Sequence, residues 1–273
     1  MRKQVPREEV VAELIPGVSV ELLKELHLLT RDGDLNADSR RKLRQVSHFL
    51  NLLRPAVEDA LARFGDPVIV DCGAGKGYLG FLLYDVFLRS SGKGTLWSIE
   101  SRPDLVQAAR ERAARLGMDR MKFVLHEIEG AEIPERVHLV TALHACDTAT
   151  DDAISLALRA NADHVALVPC CQAEVARQLE KASPAAAVAP LFEHAWHRRE
   201  FGSHLTNVLR TLVLESKGYK VTVTELAGWE HSLKNELILG RRLRPSDAAA
   251  EAKLRALLEA TGAKPKLVRQ LAG

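Results

Sequence analysis

Residues 66–77 constrain the chain most. A short β-branched run, Pro67-Val-Ile-Val-Asp71, breaks into Asp71-Cys-Gly73-Ala-Gly75-Lys-Gly77, and a strongly apolar stretch follows over 78–89. The run reads as a buried strand and the stretch as a helix, so the glycines fall in a strand-to-helix turn. Glycine permits positive φ and lets backbone approach a ligand closely. The helix start beyond it offers unpaired N–H groups. A chain built this way is expected to contain a βαβ unit whose first turn is a ligand site or, failing that, merely a tight turn.

The rhythm continues downstream. Further strands are predicted over 95–100, 121–128, 137–143 and 163–168, with helical segments between most of them, and Ser101 with Pro103 opens one helix. This alternation predicts a parallel sheet covered by helices on both faces. The end differs. A helix over 205–217 stops at Gly218, and strands over 219–226 and 236–239 follow with too little chain between them for a parallel crossover. Upstream, residues 10–64 are helical in pattern. Leu22, Leu23, Leu26, Leu28 and Leu29 form an apolar patch before a turn at Arg31-Asp-Gly-Asp. Leu43, Val46, Phe49, Leu50 and Leu53 then mark a long helix that Pro55 is expected to kink or divide. The expected division is a helical region at 1–65, the α/β domain at 66–240 and a basic helical tail at 241–273.

With 273 residues, 47% of them hydrophobic, the chain can bury a sizeable core, and a net charge of +2 leaves any argument about partners to local clusters. The N-terminal residues lack an apolar leader, no window is long enough to span a bilayer, and the four cysteines have no disulfide-like or zinc-finger spacing. A cytoplasmic location is the expectation.

Three nucleotide sites compete for the glycine loop. A phosphate-binding P-loop needs Ser or Thr after Gly-Lys, and Gly77 stands there instead. Gly75-Lys-Gly77-Tyr-Leu-Gly80 does match the dinucleotide pattern G-x-G-x-x-G, which keeps an NAD-dependent oxidoreductase as a rival. The third reading uses more of the chain: Asp71 before the first glycine, Glu100 closing the second strand, and an antiparallel end to the sheet. On those features residues 66–240 resemble the class I S-adenosylmethionine-dependent methyltransferases. That resemblance implies a seven-stranded Rossmann-like sheet with an antiparallel last strand, beside an N-terminal helical appendage. It implies that Asp71 and the backbone of Gly73, Gly75 and Gly77 flank the methionine part of the cofactor. It also implies that Glu100 accepts hydrogen bonds from the ribose hydroxyls and that Glu127 meets the adenine amino group, although Glu127 reads equally as a solvated side chain.

Two further segments follow the fourth and fifth strands: Leu143-His-Ala-Cys-Asp-Thr-Ala-Thr-Asp151 and Pro169-Cys-Cys-Gln172. They are similar to motifs of the tRNA 2′-O-methyltransferases that modify the acceptor stem and of related methyltransferase-like proteins. The likeness departs at Asp147, where those families have glycine, and at Gln172, where they have histidine. It implies an RNA acceptor, with a small-molecule or protein acceptor as the alternative and a non-catalytic scaffold behind both. His144 suits a general base by its near-neutral pKa, or is a histidine satisfied within its loop. Asp147 and Asp151 either orient an acceptor or cap the next helix, a role that suits Asp151. Cys170 or Cys171 is a nucleophile of the kind used in pyrimidine methylation, or a small buried side chain. His144, Cys146, Cys170 and Cys171 could supply zinc ligands, but adjacent cysteines rarely reach one ion, and no metal is expected.

Trp196, within Glu193-His-Ala-Trp-His-Arg-Arg199, either stacks a base or packs a loop on the core. Arg40-Arg41-Lys42 with Arg44, and a C-terminal stretch with eight basic and three acidic residues over 241–269, form a phosphate footprint or solvated helix faces. His231, Lys234 and Asn235, between the final strands, are candidates for acceptor contact or members of a plain hairpin loop.

Overall fold

The structure, a computed structural model, describes residues 15–29, 37–143, 145–169, 172–226 and 236–272. Among the described residues seven strands form one sheet in the order β3-β2-β1-β4-β5-β7-β6. They are β1 (Val68–Cys72), β2 (Thr95–Glu100), β3 (Met121–Leu125), β4 (Leu139–Leu143), β5 (His164–Val168), β6 (Tyr219–Glu225) and β7 (Glu236–Arg242). β2 lies parallel to both β1 and β3. β7 runs antiparallel to β5, with Leu167 opposite Ile238. The seven-stranded sheet with an antiparallel last strand is therefore observed as expected. It packs as two compact units, residues 1–139 with 225–233 and residues 140–224 with 234–273.

In the first unit, helix α1 (Val20–Glu25) buries Leu22 and Leu23. Ser19 caps it, and the Ser19 N–H donates to Asp85 Oδ2 at 2.6 Å. Helix α2 (Ala37–Arg63) runs unbroken through Pro55, contrary to the expected kink or division. The reason lies in its faces. Leu43, Leu50, Leu53, Val57 and Ala60 form one buried stripe along both halves, while Pro55 is exposed. Burial on the stripe outweighs the backbone bond that proline forfeits on the solvent side.

The apolar stretch after the glycine loop is three pieces rather than one helix: α3 (Tyr78–Leu83), a π-helical turn (Tyr84–Leu88) and a last turn (Arg89–Ser91). Residues 81–88 are all buried, so no single stripe enforces the 3.6-residue period. Helix α4 (Pro103–Arg115) starts with Arg102 at the N-cap position, one residue later than Ser101, and with Pro103 in its first turn. Glu25 pairs with Arg115 at 2.8 Å, tying α1 to α4; hydrogen bonding from Arg115 holds the Glu25 carboxyl below the usual range.

In the second unit, besides a four-residue helical turn at Pro190–Glu193, the described helices are α5 (Thr148–Arg159), α6 (Glu174–Leu179), α7 (Ala195–Ser216), α8 (Ala248–Thr261) and α9 (Lys266–Ala272). α7 begins ten residues before the 205–217 expectation, because its polar first turns resemble a loop in sequence. It packs on α6 and α8 around Val175, Leu179, Leu205, Leu209 and Ala263. α9 packs on α5, where Lys266 reaches Asp152 at 2.7 Å. The C-terminal stretch is thus helical and also docked. No helix among the described residues is long and apolar enough to cross a membrane.

Candidate active site

The glycine loop follows from local chemistry. Gly73, Gly75 and Gly77 have φ of 65°, 59° and 78°, which β-carbon-bearing residues adopt at a cost of about 1–2 kcal/mol each. The Ala74 N–H donates to the Ile99 carbonyl at 2.9 Å, pinning the loop to β2, and the Gly77 N–H closes the turn on the Ala74 carbonyl at 2.8 Å. Gly80 lets α3 lie close on the sheet: a Cβ there would sit 3.2 Å from Ser98 Oγ and 3.4 Å from Asp71 Oδ2. Asp71 is buried beneath the loop.

Glu100, at the end of β2 and 8% exposed, faces this loop. Its Oε2 accepts from the Gly75 N–H at 2.7 Å, and its Oε1 accepts from the Arg102 N–H at 3.1 Å and from Arg102 Nε at 2.9 Å. Burial raises the pKa of this carboxyl, but the bonds from Arg102 and Gly75 outweigh burial and leave it below the usual range. Glu100 is therefore a carboxylate at neutral pH. The Arg102 side chain is 62% exposed, so this surface partner is a weak one that a better-placed donor can displace. Glu127 lies two residues beyond β3 and is exposed. The first unit thus joins Asp71, the three glycines and Glu100 at one turn, with Glu127 in the loop after β3.

In the second unit, Asp147 precedes α5 with φ 49° and ψ −117°, an unusual backbone for a residue with a side chain. Its carboxylate is occupied. Oδ1 accepts from the Ala173 and Glu174 N–H groups at 2.9 and 3.1 Å, and Oδ2 pairs with Arg177 at 3.1 Å. Asp147 thus braces the start of α6. Asp151 is not the helix cap that its sequence position suggests. It lies in the first turn of α5, 1% exposed, and pairs with Arg210 at 2.7 Å. Burial pushes its carboxyl up, and Arg210 opposes that only in part.

Sequence reasoning missed Arg210 and Asn207, both buried on α7. The signal was present: Ser203, Asn207 and Arg210 recur at i, i+4 and i+7, alternating with the apolar Leu205, Leu209 and Val213.

Trp196 does not pack on the core. It stands 65% exposed near the start of α7, with the Arg199 guanidinium 4.3 Å from the ring centroid. Cys146 is exposed. His144, Cys170, Cys171, His231, Lys234 and Asn235 lie outside the described residues, as do the side chains of Arg40, Arg41, Lys42 and Arg44. Among the described residues no group of three or more His, Cys, Asp or Glu is placed to hold a metal ion.

Comparison with known proteins bears on this arrangement. A methyltransferase domain family matches residues 41–178, half of the chain, and the chain belongs to that family. No curated protein matches. Among solved structures, an rRNA methylase from Streptococcus thermophilus is 12% identical over 72% of this chain and 97% of its own, with a TM-score of 0.47. A methyltransferase of Podospora anserina bound to S-adenosylhomocysteine is 14% identical, covering 89% and 100%, at 0.46. The magnesium protoporphyrin IX methyltransferase of Synechocystis, bound to S-adenosylmethionine, is 12% identical over 89% and 100%, at 0.44. The rRNA methylase and the magnesium protoporphyrin IX methyltransferase differ in what they methylate, and no acceptor follows from them.

Proposed function

We propose that the chain is an S-adenosylmethionine-dependent methyltransferase whose cofactor is held by Asp71, Gly73, Gly75, Gly77 and Glu100. The observation that carries this reading is the 2.7 Å bond between the Gly75 N–H and Glu100, which puts a buried carboxylate at the rim of a left-handed glycine turn. The sheet favours it over the dinucleotide rival. Dinucleotide folds have the order 3-2-1-4-5-6, whereas here antiparallel β7 stands between β5 and β6.

The residues fit the cofactor. Glu100 accepts from the ribose hydroxyls once the Arg102 side chain swings aside, while the Gly75 and Arg102 backbone N–H groups keep the carboxylate oriented. The glycines leave room for the methionine portion, and Glu127 faces the adenine. The cofactor supplies an electrophilic methyl on a sulfonium. The protein holds the donor, aligns the acceptor and keeps water away. Where the acceptor must lose a proton, His144 is the base. Removing charged hydrogen bonds costs about 1.5–3 kcal/mol. Glu100→Ala should therefore weaken S-adenosylhomocysteine binding by about tenfold to a hundredfold in titration calorimetry. Unchanged affinity in a folded variant overturns the assignment.

We further propose RNA as the acceptor. Support comes from the motif likeness over Leu143–Asp151 and Pro169–Gln172 and from the exposed Trp196, whose indole is already stacked with Arg199 as a base-stacking platform would be. RNA binding should weaken steeply as salt rises. Trp196→Ala should cost about 1–3 kcal/mol in RNA affinity and leave S-adenosylhomocysteine affinity unchanged. If the nucleic-acid-free protein shows no salt-dependent binding to tRNA or rRNA fragments, RNA is rejected in favour of a small-molecule acceptor.

A further inference from the structure

One edge of α7 holds three separate segments of the second unit. Ser203 Oγ donates to Gln172 Oε1 at 2.8 Å, and Gln172 Nε2 donates to the Pro169 carbonyl at 3.1 Å, fixing the chain after β5. Asn207 Nδ2 donates to Glu236 Oε2 at 2.9 Å, at the start of β7. Arg210, 1% exposed, uses its whole fork: Nε to Asp151 Oδ1 at 2.7 Å, Nη1 to Asn207 Oδ1 at 3.1 Å, and Nη2 to the Asp147 carbonyl at 2.6 Å. The same turn is held again by Thr150 Oγ1, which donates to the Ala145 carbonyl at 2.6 Å.

Of these bonds, the one from Arg210 Nη2 ends on Asp147, the residue with the unusual backbone, while Ser203, Asn207 and Thr150 hold neighbouring segments. One bond fixes its carbonyl, and its carboxylate in turn fixes the Ala173 and Glu174 amides. A backbone in that region persists only where its surroundings over-determine it. Arg210 is also an expensive choice for a core. A buried ion pair is often no more stabilising than a well-packed apolar pair, and Asp151 Oδ2 is left buried without a hydrogen-bond partner. Core stability alone does not account for a guanidinium here; geometric control of the Asp147 turn does.

We propose that Ser203, Asn207 and Arg210 are positioning residues for the reaction, with Arg210 setting the backbone of the Ala145–Asp147 turn and, through Asp147, the start of α6. The role in methyl transfer rests on the methyltransferase reading; the control of the turn does not. An apolar swap separates positioning from stability. Arg210→Met alone strands the Asp151 charge in the core and confounds folding with positioning, so the double variant Arg210→Met/Asp151→Leu removes both charges while the Asp147 carbonyl still loses its donor.

The experiment is hydrogen–deuterium exchange on the double variant, beside S-adenosylhomocysteine calorimetry and transfer of labelled methyl from S-adenosylmethionine into total RNA, protein and metabolite pools. Exchange should rise at least tenfold in peptides covering 145–150 and 172–177, with the melting temperature and S-adenosylhomocysteine affinity of the parent retained. Label transfer should fall at least tenfold. Parental exchange at both segments overturns the control of the turn. Raised exchange with parental label transfer overturns the role in the reaction. Failure of the parent itself to bind S-adenosylhomocysteine rejects the methyltransferase reading and leaves the exchange result standing as a test of the turn.

Discussion

Gly218→Ala should destabilise the protein by about 2–5 kcal/mol, the sum of about 1–2 for a left-handed backbone and about 1–3 for overpacking. Gly218 follows α7 with φ 86°, and its N–H closes the helix on the Glu215 carbonyl at 2.8 Å. Its own carbonyl accepts from the Leu243 N–H at 3.0 Å, beyond the end of β7. A Cβ at this position would lie 1.8 Å from the Arg244 carbonyl oxygen and 2.6 Å from its carbon. Those atoms are backbone, so the chain leaving β7 must move as a whole. At about 2–4 °C per kcal/mol for a domain of this size, the melting temperature should fall on the order of 10 °C by differential scanning calorimetry. A shift below about 2 °C would show that the chain near Arg244 yields freely.

Gly202→Ala is the second large effect, and here two effects oppose each other. Helix propensity alone favours alanine by about 0.8–1 kcal/mol at an interior helical site. Packing opposes it: the added Cβ would lie 2.6 Å from Ala176 Cα and 2.9 Å from Ala176 N, both in α6. Overpacking of about 1–3 kcal/mol outweighs the propensity gain, because α6 must retreat from α7. That retreat also loosens the Ala173 and Glu174 amides from Asp147. The variant should melt several degrees lower, at about 2–4 °C per kcal/mol. Ala176→Gly should restore only part of the loss, since the contact with Ala176 Cα persists. A variant more stable than the parent would show that propensity, not packing, governs the site.

These two glycines mark where sequence stops being informative. Gly218 reads correctly as a helix stop, because helix termination is local chemistry. Gly202 falls before the helix expected over 205–217, and nothing local marks its close approach to Ala176, 26 positions away. The same division runs through the site. That Gly73, Gly75 and Gly77 form a turn facing Glu100, with Asp71 at its base, is legible because strand, turn, helix and strand lie within one βαβ unit. Arg210 contacts Asp151 and Asp147, 59 and 63 residues distant, and an arginine between leucines on a helix reads as a solvated charge. Pro55 misleads in the opposite direction: the local rule predicts a break, and burial of Leu53, Val57 and Ala60 overrides it. Trp196 reads as a loop residue because Trp-His-Arg-Arg has no apolar period, although it lies within α7.

The central claim is that the glycine turn and Glu100 hold S-adenosylmethionine. Its most direct measurement is titration calorimetry of the purified protein with S-adenosylhomocysteine and with NAD, in parallel with Glu100→Ala. Saturable binding of S-adenosylhomocysteine at one site per chain, weakened by the substitution, is the expected result, with no saturable heat from NAD. Saturable binding of NAD without binding of S-adenosylhomocysteine would contradict it.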